Sequence, residues 1–227
     1  MNVADRSGGR FDDRRDAGRQ LAQALTAQGH GADALVLALP RGGVPVAAEV
    51  AAALGLPLDV ICVRKLGVPS QPELAMGALA SGGAVVRNDE VLAMLSQAER
   101  QFEQVLARER EELSRRERTY RGDAAGLDVQ GREVILVDDG LATGATMEAA
   151  ARAVRALRAG PIVVAVPVAS AEAVERLQRI VDRVVALRTP RFFGAVGQWY
   201  ATFDQTRDDE VTSLLAAARA RTTSKPG

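Results

Sequence analysis

The stretch VILVDDGLATGATM, residues 134–147, decides the fold of this chain. It begins with four apolar residues, continues with the adjacent carboxylates Asp138 and Asp139, and runs through glycines and threonines into a helical pattern. A short apolar run that stops at a polar turn is typical of a buried strand. The stretch therefore predicts a strand, a loop and a helix, with the two acids at the carboxyl end of the strand.

Strands and helices alternate on both sides of this stretch. The predicted helices cover residues 11–25, 44–55, 147–159 and 170–178, and the predicted strands cover residues 34–40, 58–65, 133–138, 161–167 and 182–187. A polar loop is predicted at residues 66–74, and a possible hairpin passes through residues 81–83. This order implies an α/β fold with a mostly parallel, twisted sheet that carries helices on both faces.

Residues 88–120 are predicted to form a long, charged helical insertion. Their apolar residues fall on one helical face, and the other positions are dense in Glu and Arg at salt-bridge spacing. We interpret the charged face as solvated rather than as a partner-binding surface. The last residues, 218–227, are predicted to be frayed.

The composition indicates one globular domain that binds a small molecule. The chain has 227 residues, a formal net charge of zero and 47% hydrophobic residues, which suits a single domain over residues 1–227 with a sizeable core. The balanced charge removes the broad attraction that drives non-specific nucleic-acid binding. No apolar run suits a signal peptide or a membrane span, so we expect a cytoplasmic protein without a membrane partner. The one cysteine, Cys62, is expected to be a buried structural thiol.

The loop between the strand and the helix is predicted to bind a phosphorylated sugar. Its last residues lead into a helix, so their N–H groups are unpaired donors at the positive end of the helix dipole. The hydroxyls of Thr143 and Thr146 add donors, while Asp138 and Asp139 can accept hydrogen bonds from a vicinal diol. The GK[ST] of a nucleotide-triphosphate loop and the GxGxxG of a dinucleotide fold are both absent. A ribose 5-phosphate is the ligand that matches these groups.

This stretch resembles the phosphoribosyl-diphosphate (PRPP) signature of the type I phosphoribosyltransferases. More narrowly, FDDRRDAGRQLA (11–22), LPRGGVPVA (39–47) and VRKLGVPSQPELAMGA (63–78) resemble a bacterial group of phosphoribosyltransferases without an assigned substrate. The shared core covers about residues 34–187. The resemblance implies a pentosyltransferase that uses magnesium-PRPP to transfer phosphoribose to a nitrogen acceptor, such as a nucleobase, with release of pyrophosphate.

The resemblance also implies roles for the residues of the signature. The ribose would be bound by Asp138 and Asp139. The 5-phosphate would be bound by Gly140, Ala142, Thr143, Gly144, Ala145 and Thr146. Magnesium would be held mainly by PRPP oxygens and waters, with no direct protein ligand, because it dehydrates reluctantly.

A second loop, PRGG at residues 40–43, fits the pyrophosphate loop of the family. Its two glycines permit unusual backbone geometry, and Arg41 offers a forked guanidinium, so Arg41, Gly42 and Gly43 are the predicted pyrophosphate ligands. In the family this loop often holds a non-proline cis peptide. Taken alone, PRGG is an ordinary turn, and its role depends on its place beside the acidic loop.

The segment after the second strand matches the position of the catalytic flap of the family. Arg64 and Lys65 end that strand and join Asp138 and Asp139 as candidate catalytic residues. Lys65 is the candidate for stabilising the charge of the leaving group, although an exposed lysine at a strand end has the same pattern. The flap itself covers about residues 66–73, and Glu73 is a weaker candidate.

The acceptor site is predicted in a C-terminal hood, residues 188–207. Trp199 is the candidate for stacking on the acceptor base, but the aromatic residues of this segment can equally form a small satellite core. Members that act on 6-oxopurines commonly carry an Asp where this chain has Ala142, which argues against hypoxanthine and guanine. The only histidine, His30, is interpreted as a solvated loop residue.

Two other functions are alternatives to the transferase. A catalytically silent regulator would keep the fold and sense PRPP without turnover. A hydrolase of a phosphorylated sugar would need a positioned water and base, which the sequence does not suggest. The expected partners are PRPP and a small nitrogen-containing acceptor, with no nucleic acid, and a homodimer is a possible assembly.

Overall fold

The computed structural model describes residues 9–122 and 127–223. The helices are α1 (Arg14–Thr26), α2 (Gly43–Leu54), α3 (Asp89–Ala93), α4 (Ala98–Arg121), α5 (Ala145–Ala156), α6 (Ala171–Gln178) and α7 (Asp208–Thr223). The strands are β1 (Leu35–Ala38), β2 (Leu58–Val60), β3 (Val63–Val68), β4 (Gln71–Ala80), β5 (Val85–Arg87), β6 (Val134–Val137), β7 (Ile162–Val168) and β8 (Arg183–Arg188). Short 3-10 helices lie at Ser81–Gly83 and Val196–Trp199.

The main sheet has five parallel strands in the order β2-β1-β6-β7-β8. Strands β1, β6 and β7 are buried along their whole length, as expected when helices cover both faces of a sheet. The chain runs from β1 outward to β2 and then returns to β6 on the other side of β1. The switch point of the sheet therefore lies between β1 and β6, which is where such folds bind ligands. The predicted α/β fold is confirmed.

Helices pack on both faces of this sheet because its side chains alternate. Val36 and Ala38 of β1 face one core, which includes residues of α1, α2 and α7, whereas Leu35 and Leu37 face the other, which includes residues of α5 and α6. Helix α1 lies very close to α2, since a Cβ at Gly18 would be 2.7 Å from the carbonyl oxygen of Val46. This close packing brings the start of α1 to the edge where β1 and β6 end.

The structure contains a second sheet, and two predictions for this part of the chain are wrong. The predicted strand 58–65 is broken at residues 61–62, so that β2 belongs to the main sheet and β3 to an antiparallel sheet of order β3-β4-β5. The predicted polar loop at 66–74 is mostly a hairpin, with Val68 paired to Gln71. Residues 71–74 of β4 are exposed, which explains their loop-like composition. The hairpin predicted through Ser81–Gly83 is confirmed, since β4 pairs with β5.

Helical segments differ from the prediction at two places. The predicted helix 88–120 is interrupted between α3 and α4, where Gln97 has a φ of 59°. The segment from residue 218, predicted to be frayed, continues α7 as far as Thr223, and residues 224–227 lie outside the described part. Val211 and Leu215 of α7 are fully buried in the core. In the described residues, no helix is both long and apolar enough to cross a membrane.

Candidate functional site

The loops after β1 and β6 touch each other at the switch point. A Cβ at Gly42 would overlap the carboxylate of Asp139, and a Cβ at Gly43 would lie 2.7 Å from the carbonyl oxygen of Val137. Only glycine allows this approach, so the two glycines of PRGG are required by the packing of the two loops. The structure therefore brings the PRGG loop and the acid pair together, as the sequence predicts for a shared site.

The PRGG loop leads directly into α2. The peptide bond between Pro40 and Arg41 is cis, as the family resemblance implies. Within the described residues, the N–H groups of Arg41 and Gly42 donate to no protein acceptor, and they lie at the positive end of α2. The Arg41 guanidinium is partly exposed and lies 3.6 Å from Oδ1 of Asp208 at the start of α7. The loop thus offers free N–H donors and a nearby cation to an anion.

The two acids that follow β6 occupy different surroundings. Oδ1 of Asp138 accepts a hydrogen bond from the N–H of Asp139 at 2.8 Å, and Oδ2 of Asp139 accepts one from Nε of Arg14 at 2.8 Å. Burial, followed by the charge of Asp139, raises the pKa of Asp138 well above its usual range. Burial also raises the pKa of Asp139, but the Arg14 guanidinium opposes that shift. Asp139 is thus the acid with a counter-charge.

The loop before α5, residues 140–144, has the geometry of an anion-binding loop and is called the anion cradle below. Gly144 has a φ of 73° and caps α5, and within the described residues the N–H groups of Ala142, Thr143 and Gly144 donate to no protein acceptor. The loop is held from behind by the end of β7 and the start of α6, where the hydroxyl of Ser170 donates to the carbonyl oxygen of Ala142 at 2.6 Å. These free donors at a helix N-terminus suit a phosphate group.

The two residues that end the predicted second strand point in opposite directions. Arg64 forms an ion pair with Glu109 of α4 at 2.6 Å. Lys65 lies 3.1 Å from Glu73 across the hairpin and lines a cavity of about 650 Å³ that Ala145 and Thr146 of α5 also line. Because neighbouring strand residues face opposite sides, only Lys65 reaches the side of the anion cradle. Arg64 serves instead in the contact between β3 and α4.

The C-terminal hood contacts the acid pair through Tyr200. Its hydroxyl donates to the carbonyl oxygen of Asp139 at 2.5 Å, and its ring packs against Phe11 with the centroids 5.5 Å apart. Trp199 packs against this satellite core, its carbonyl accepting the N–H of Phe11 at 2.8 Å. Phe192 lies 90% exposed in the same segment. Base stacking by Trp199 stays a prediction.

His30 and Cys62, the only residues of their types, both lie outside the two loops. The prediction that His30 is solvated is wrong, because its side chain is only 4% exposed and its Nδ1 lies 2.9 Å from Oε1 of Glu133. This pair lies just before β1 and β6, at the sheet edge opposite the site. Cys62 is buried as predicted, and burial raises its pKa to about 12, so it is not a nucleophile near neutral pH.

Sequence reasoning missed three residues of the site. Arg14, Tyr200 and Asp208 lie in α1, the hood and α7, and they contact Asp139 or Arg41. Arg14 is 125 positions from its partner Asp139. A clue to Arg14 was present, since it lies in the FDDRRDAGRQLA segment that carries part of the resemblance. No local pattern indicated Tyr200 or Asp208 as neighbours of the loops.

The fold and the site together define an α/β protein with two glycine-rich loops and an acid pair at the switch point of a parallel sheet. The sequence model of the phosphoribosyl transferase domain matches residues 11–200. The chain therefore belongs to the phosphoribosyl transferase family, with the type I fold and an added antiparallel sheet.

Two relatives are similar over most of the chain. A Mycobacterium tuberculosis H37Rv protein, named "Putative phosphoribosyl transferase", is 50% identical over 208 residues, which are 92% of this chain and 47% of that protein. The chain thus spans about half the length of the curated relatives it matches. The crystal structure of TT1426 from Thermus thermophilus is 48% identical, with a TM-score of 0.83 over 92% of this chain and 98% of that one.

Proposed function

We propose that this chain uses magnesium-PRPP to transfer phosphoribose to a nitrogen acceptor, with release of pyrophosphate. Membership of the family supports phosphoribosyl transfer as the general activity. The observation that carries the proposal is the meeting of an acid pair, an anion cradle and the PRGG loop at one switch point. These three groups match the ribose, the 5-phosphate and the pyrophosphate of PRPP.

Each part of PRPP has a candidate partner in this arrangement. The N–H groups of residues 142–146 hold the 5-phosphate, Asp138 and Asp139 accept hydrogen bonds from the ribose hydroxyls, and residues 41–43 hold the pyrophosphate. Lys65 faces the same side as the cradle and neutralises charge on the leaving group. The exposed β3–β4 hairpin is the candidate flap that excludes water during transfer.

In the proposed reaction, the acceptor nitrogen forms a bond to the anomeric carbon of the ribose. The bond between that carbon and the pyrophosphate oxygen breaks, and its electron pair leaves with the pyrophosphate. The acceptor nitrogen gives its proton to the departing pyrophosphate, which is the basic group that the reaction supplies. Because positive charge develops on the ribose during this step, water must be kept away from the anomeric carbon. The acid pair and the bound pyrophosphate provide negative charge beside it.

Magnesium fits the donors of this site as an ion held mainly by the substrate. Among residues 9–122 and 127–223, no group of three or more His, Cys, Asp or Glu side chains is placed to hold a metal. The two carboxylates are hard oxygen donors, which suits magnesium, but they do not form a cage. We therefore propose that PRPP oxygens and waters supply most of the ligands. The ion would offset charge on the pyrophosphate.

The acceptor is proposed to be a small nitrogen heterocycle bound between the cradle and the hood. Ala142 offers no carboxylate to a purine ring nitrogen, so 6-oxopurines are not the favoured acceptors. The half-buried Trp199 and the exposed Phe192 provide aromatic surface in the hood. A nucleobase is the proposed class of acceptor.

The test is to incubate the protein with magnesium-PRPP and a panel of nucleobases and small amines. Pyrophosphate release and new nucleotides are followed by mass spectrometry, and the double variant Asp138→Asn/Asp139→Asn is the control. Acceptor-dependent release that is lost in the control supports the transferase. Calorimetric PRPP binding without release would contradict it and favour the sensing regulator. Absence of binding would overturn the assignment of the site itself.

A further inference from the structure

Arg14 is held in place by three different groups at the edge of the proposed PRPP site. Its Nε donates to Oδ2 of Asp139 at 2.8 Å, and its Nη1 donates to the carbonyl oxygen of Asp204 at 2.6 Å. Its guanidinium lies 3.9 Å above the ring centroid of Phe203. The side chain is only 12% exposed, so its planar fork has one well-defined orientation.

These contacts join three separate parts of the chain. Arg14 begins α1, Asp139 follows β6, and residues 203–204 belong to the hood. A Cβ built at Gly42 would also lie 3.4 Å from Nε of Arg14, so the PRGG loop passes directly beside this contact. Arg14 is therefore the point where α1, the acid pair, the PRGG loop and the hood meet.

The charge of Arg14 compensates the acid pair at this position. Among the described residues, the only ion pair made by Asp138 or Asp139 is the one with Arg14. Two adjacent, partly buried carboxylates repel each other, and a carboxylate without a partner rotates or takes up a proton. The Arg14 guanidinium favours the charged form of Asp139, against the burial that raises the pKa of this acid, and it fixes Oδ2 of Asp139 through a direct hydrogen bond.

We propose that Arg14 is a positioning residue of the PRPP site, which orients Asp139 towards the ribose and links that acid to the hood. The inference rests on the proposed function, because it assigns a role in PRPP binding. It goes beyond that function in two ways. It adds a residue from α1 to the site, and it links the acid pair to the hood. Arg14 acts through Asp139 rather than on the reacting atoms.

The experiment compares PRPP binding by the wild-type chain and the variants Arg14→Gln, Arg14→Lys and Arg15→Gln. Arg15 is the matched control, since it is the next residue, is half-exposed and, among the described residues, forms an ion pair only with Glu49, at 3.5 Å. Affinity for magnesium-PRPP is measured by titration calorimetry, and folding by thermal unfolding. We expect about tenfold weaker binding for Arg14→Gln, partial recovery for Arg14→Lys and wild-type affinity for Arg15→Gln.

A further variant keeps the inference testable if Arg14→Gln does not fold. Phe203→Leu removes the aromatic face under the guanidinium at a site that is already 37% exposed, and we expect roughly two- to fivefold weaker PRPP binding. Wild-type affinity in both Arg14→Lys and Phe203→Leu would overturn the inference while leaving the proposed function intact. If the wild-type chain itself binds no PRPP, both are overturned.

Discussion

At the scale of single residues, the site depends on the space around Gly42. This glycine lies against Oδ2 of Asp139, the same oxygen that accepts the hydrogen bond of Arg14. The carboxylate cannot move away from an added methyl group without breaking its ion pair. Whether residue 42 accepts a larger side chain therefore depends on Asp139 in the other loop, and not only on the backbone conformation of the turn.

We predict that Gly42→Ala weakens both folding and PRPP binding. Overpacking of this kind costs about 1–3 kcal/mol of unfolding free energy, and displacement of Asp139 removes its proposed contact with the ribose. Denaturant unfolding and calorimetry with magnesium-PRPP measure the two effects. Gly9→Ala is the matched control, because a Cβ at Gly9 meets nothing within 4 Å. Unchanged PRPP affinity in Gly42→Ala would contradict the packing described here for Gly42 and Asp139.

Asp138 gives a prediction about pH. Burial raises its pKa in the folded protein, so the folded state binds this proton more tightly than the unfolded chain does. The resulting stabilisation is present below the ordinary aspartate pKa and is lost as the pH rises through the raised value. Above the ordinary aspartate pKa, the buried Asp138 therefore lowers stability, because folding must either keep its proton or bury its charge.

We predict that Asp138→Asn raises the unfolding temperature at about pH 8 and has little effect at about pH 4, near the ordinary aspartate pKa. Each kcal/mol regained shifts the midpoint by roughly 2–4 °C in a chain of this size. Thermal unfolding at both pH values tests this, with the exposed Asp12→Asn as control. A lower midpoint at pH 8 would show that the Asp138 charge stabilises the fold.

At the scale of elements, α7 reaches the PRGG loop from outside the matched family region, residues 11–200. Asp208 at its start accepts a hydrogen bond from Tyr120 of α4 at 2.7 Å and lies 3.6 Å from Arg41. Burial and the bond to Asp208 raise the pKa of Tyr120 to about 12, so this hydroxyl stays a donor at neutral pH. Two peripheral helices thereby influence Arg41, the cation of the PRGG loop.

We predict that Asp208→Asn tightens PRPP binding by up to about fivefold. Asparagine keeps an oxygen for the Tyr120 hydroxyl, but it removes a negative charge near the proposed pyrophosphate site and frees Arg41 from an exposed ion pair. Calorimetry at low salt is the measurement. Asp209→Asn is the control, because Asp209 pairs with Arg207 instead. Weaker PRPP binding in Asp208→Asn would mean that Asp208 supports Arg41.

At the scale of the whole molecule, the two sheets are joined through a short buried connection. The N–H of Cys62 donates to Oγ of Ser81 at 2.9 Å, and the N–H of Ser81 donates to the carbonyl oxygen of Cys62 at 2.9 Å. Ser81 is fully buried. This pair ties the start of β3 to the end of β4, and it sets the hairpin with Lys65 beside the main sheet.

We predict that Ser81→Ala lowers the free energy of unfolding by about 1–3 kcal/mol, because it leaves the Cys62 N–H buried without an acceptor. Denaturant unfolding provides the measurement, and the exposed Ser114→Ala on α4 is the control. Equal losses in both variants would show that the Ser81 hydroxyl has no special role. Such a result would also mean that the hydrogen bonds between Cys62 and Ser81 do not determine the position of the hairpin.

The family resemblance implied the cis peptide of PRGG, whereas the sequence by itself determined the strand, acid pair, glycine-rich loop and helix of residues 134–147, together with the PRGG turn. These features are local, since an apolar run, two acids and a run of small residues specify their own backbone path. The alternation of strands and helices then placed both loops at one edge of the sheet. Family resemblance supplied the ligand that this edge is proposed to bind.

Only the tertiary structure decided the second sheet, the burial of His30 and the partners of the acid pair. Residues 66–74 look like a loop because the first half of β4 is exposed, and the β3–β4 hairpin that they form packs against α4. The chain contains 29 Lys and Arg residues and 29 Asp and Glu residues, so the sequence offers Arg14 many acidic partners. Its choice of Asp139 follows from the packing of α1 on α2, because ion pairs form between groups that the fold has already brought together.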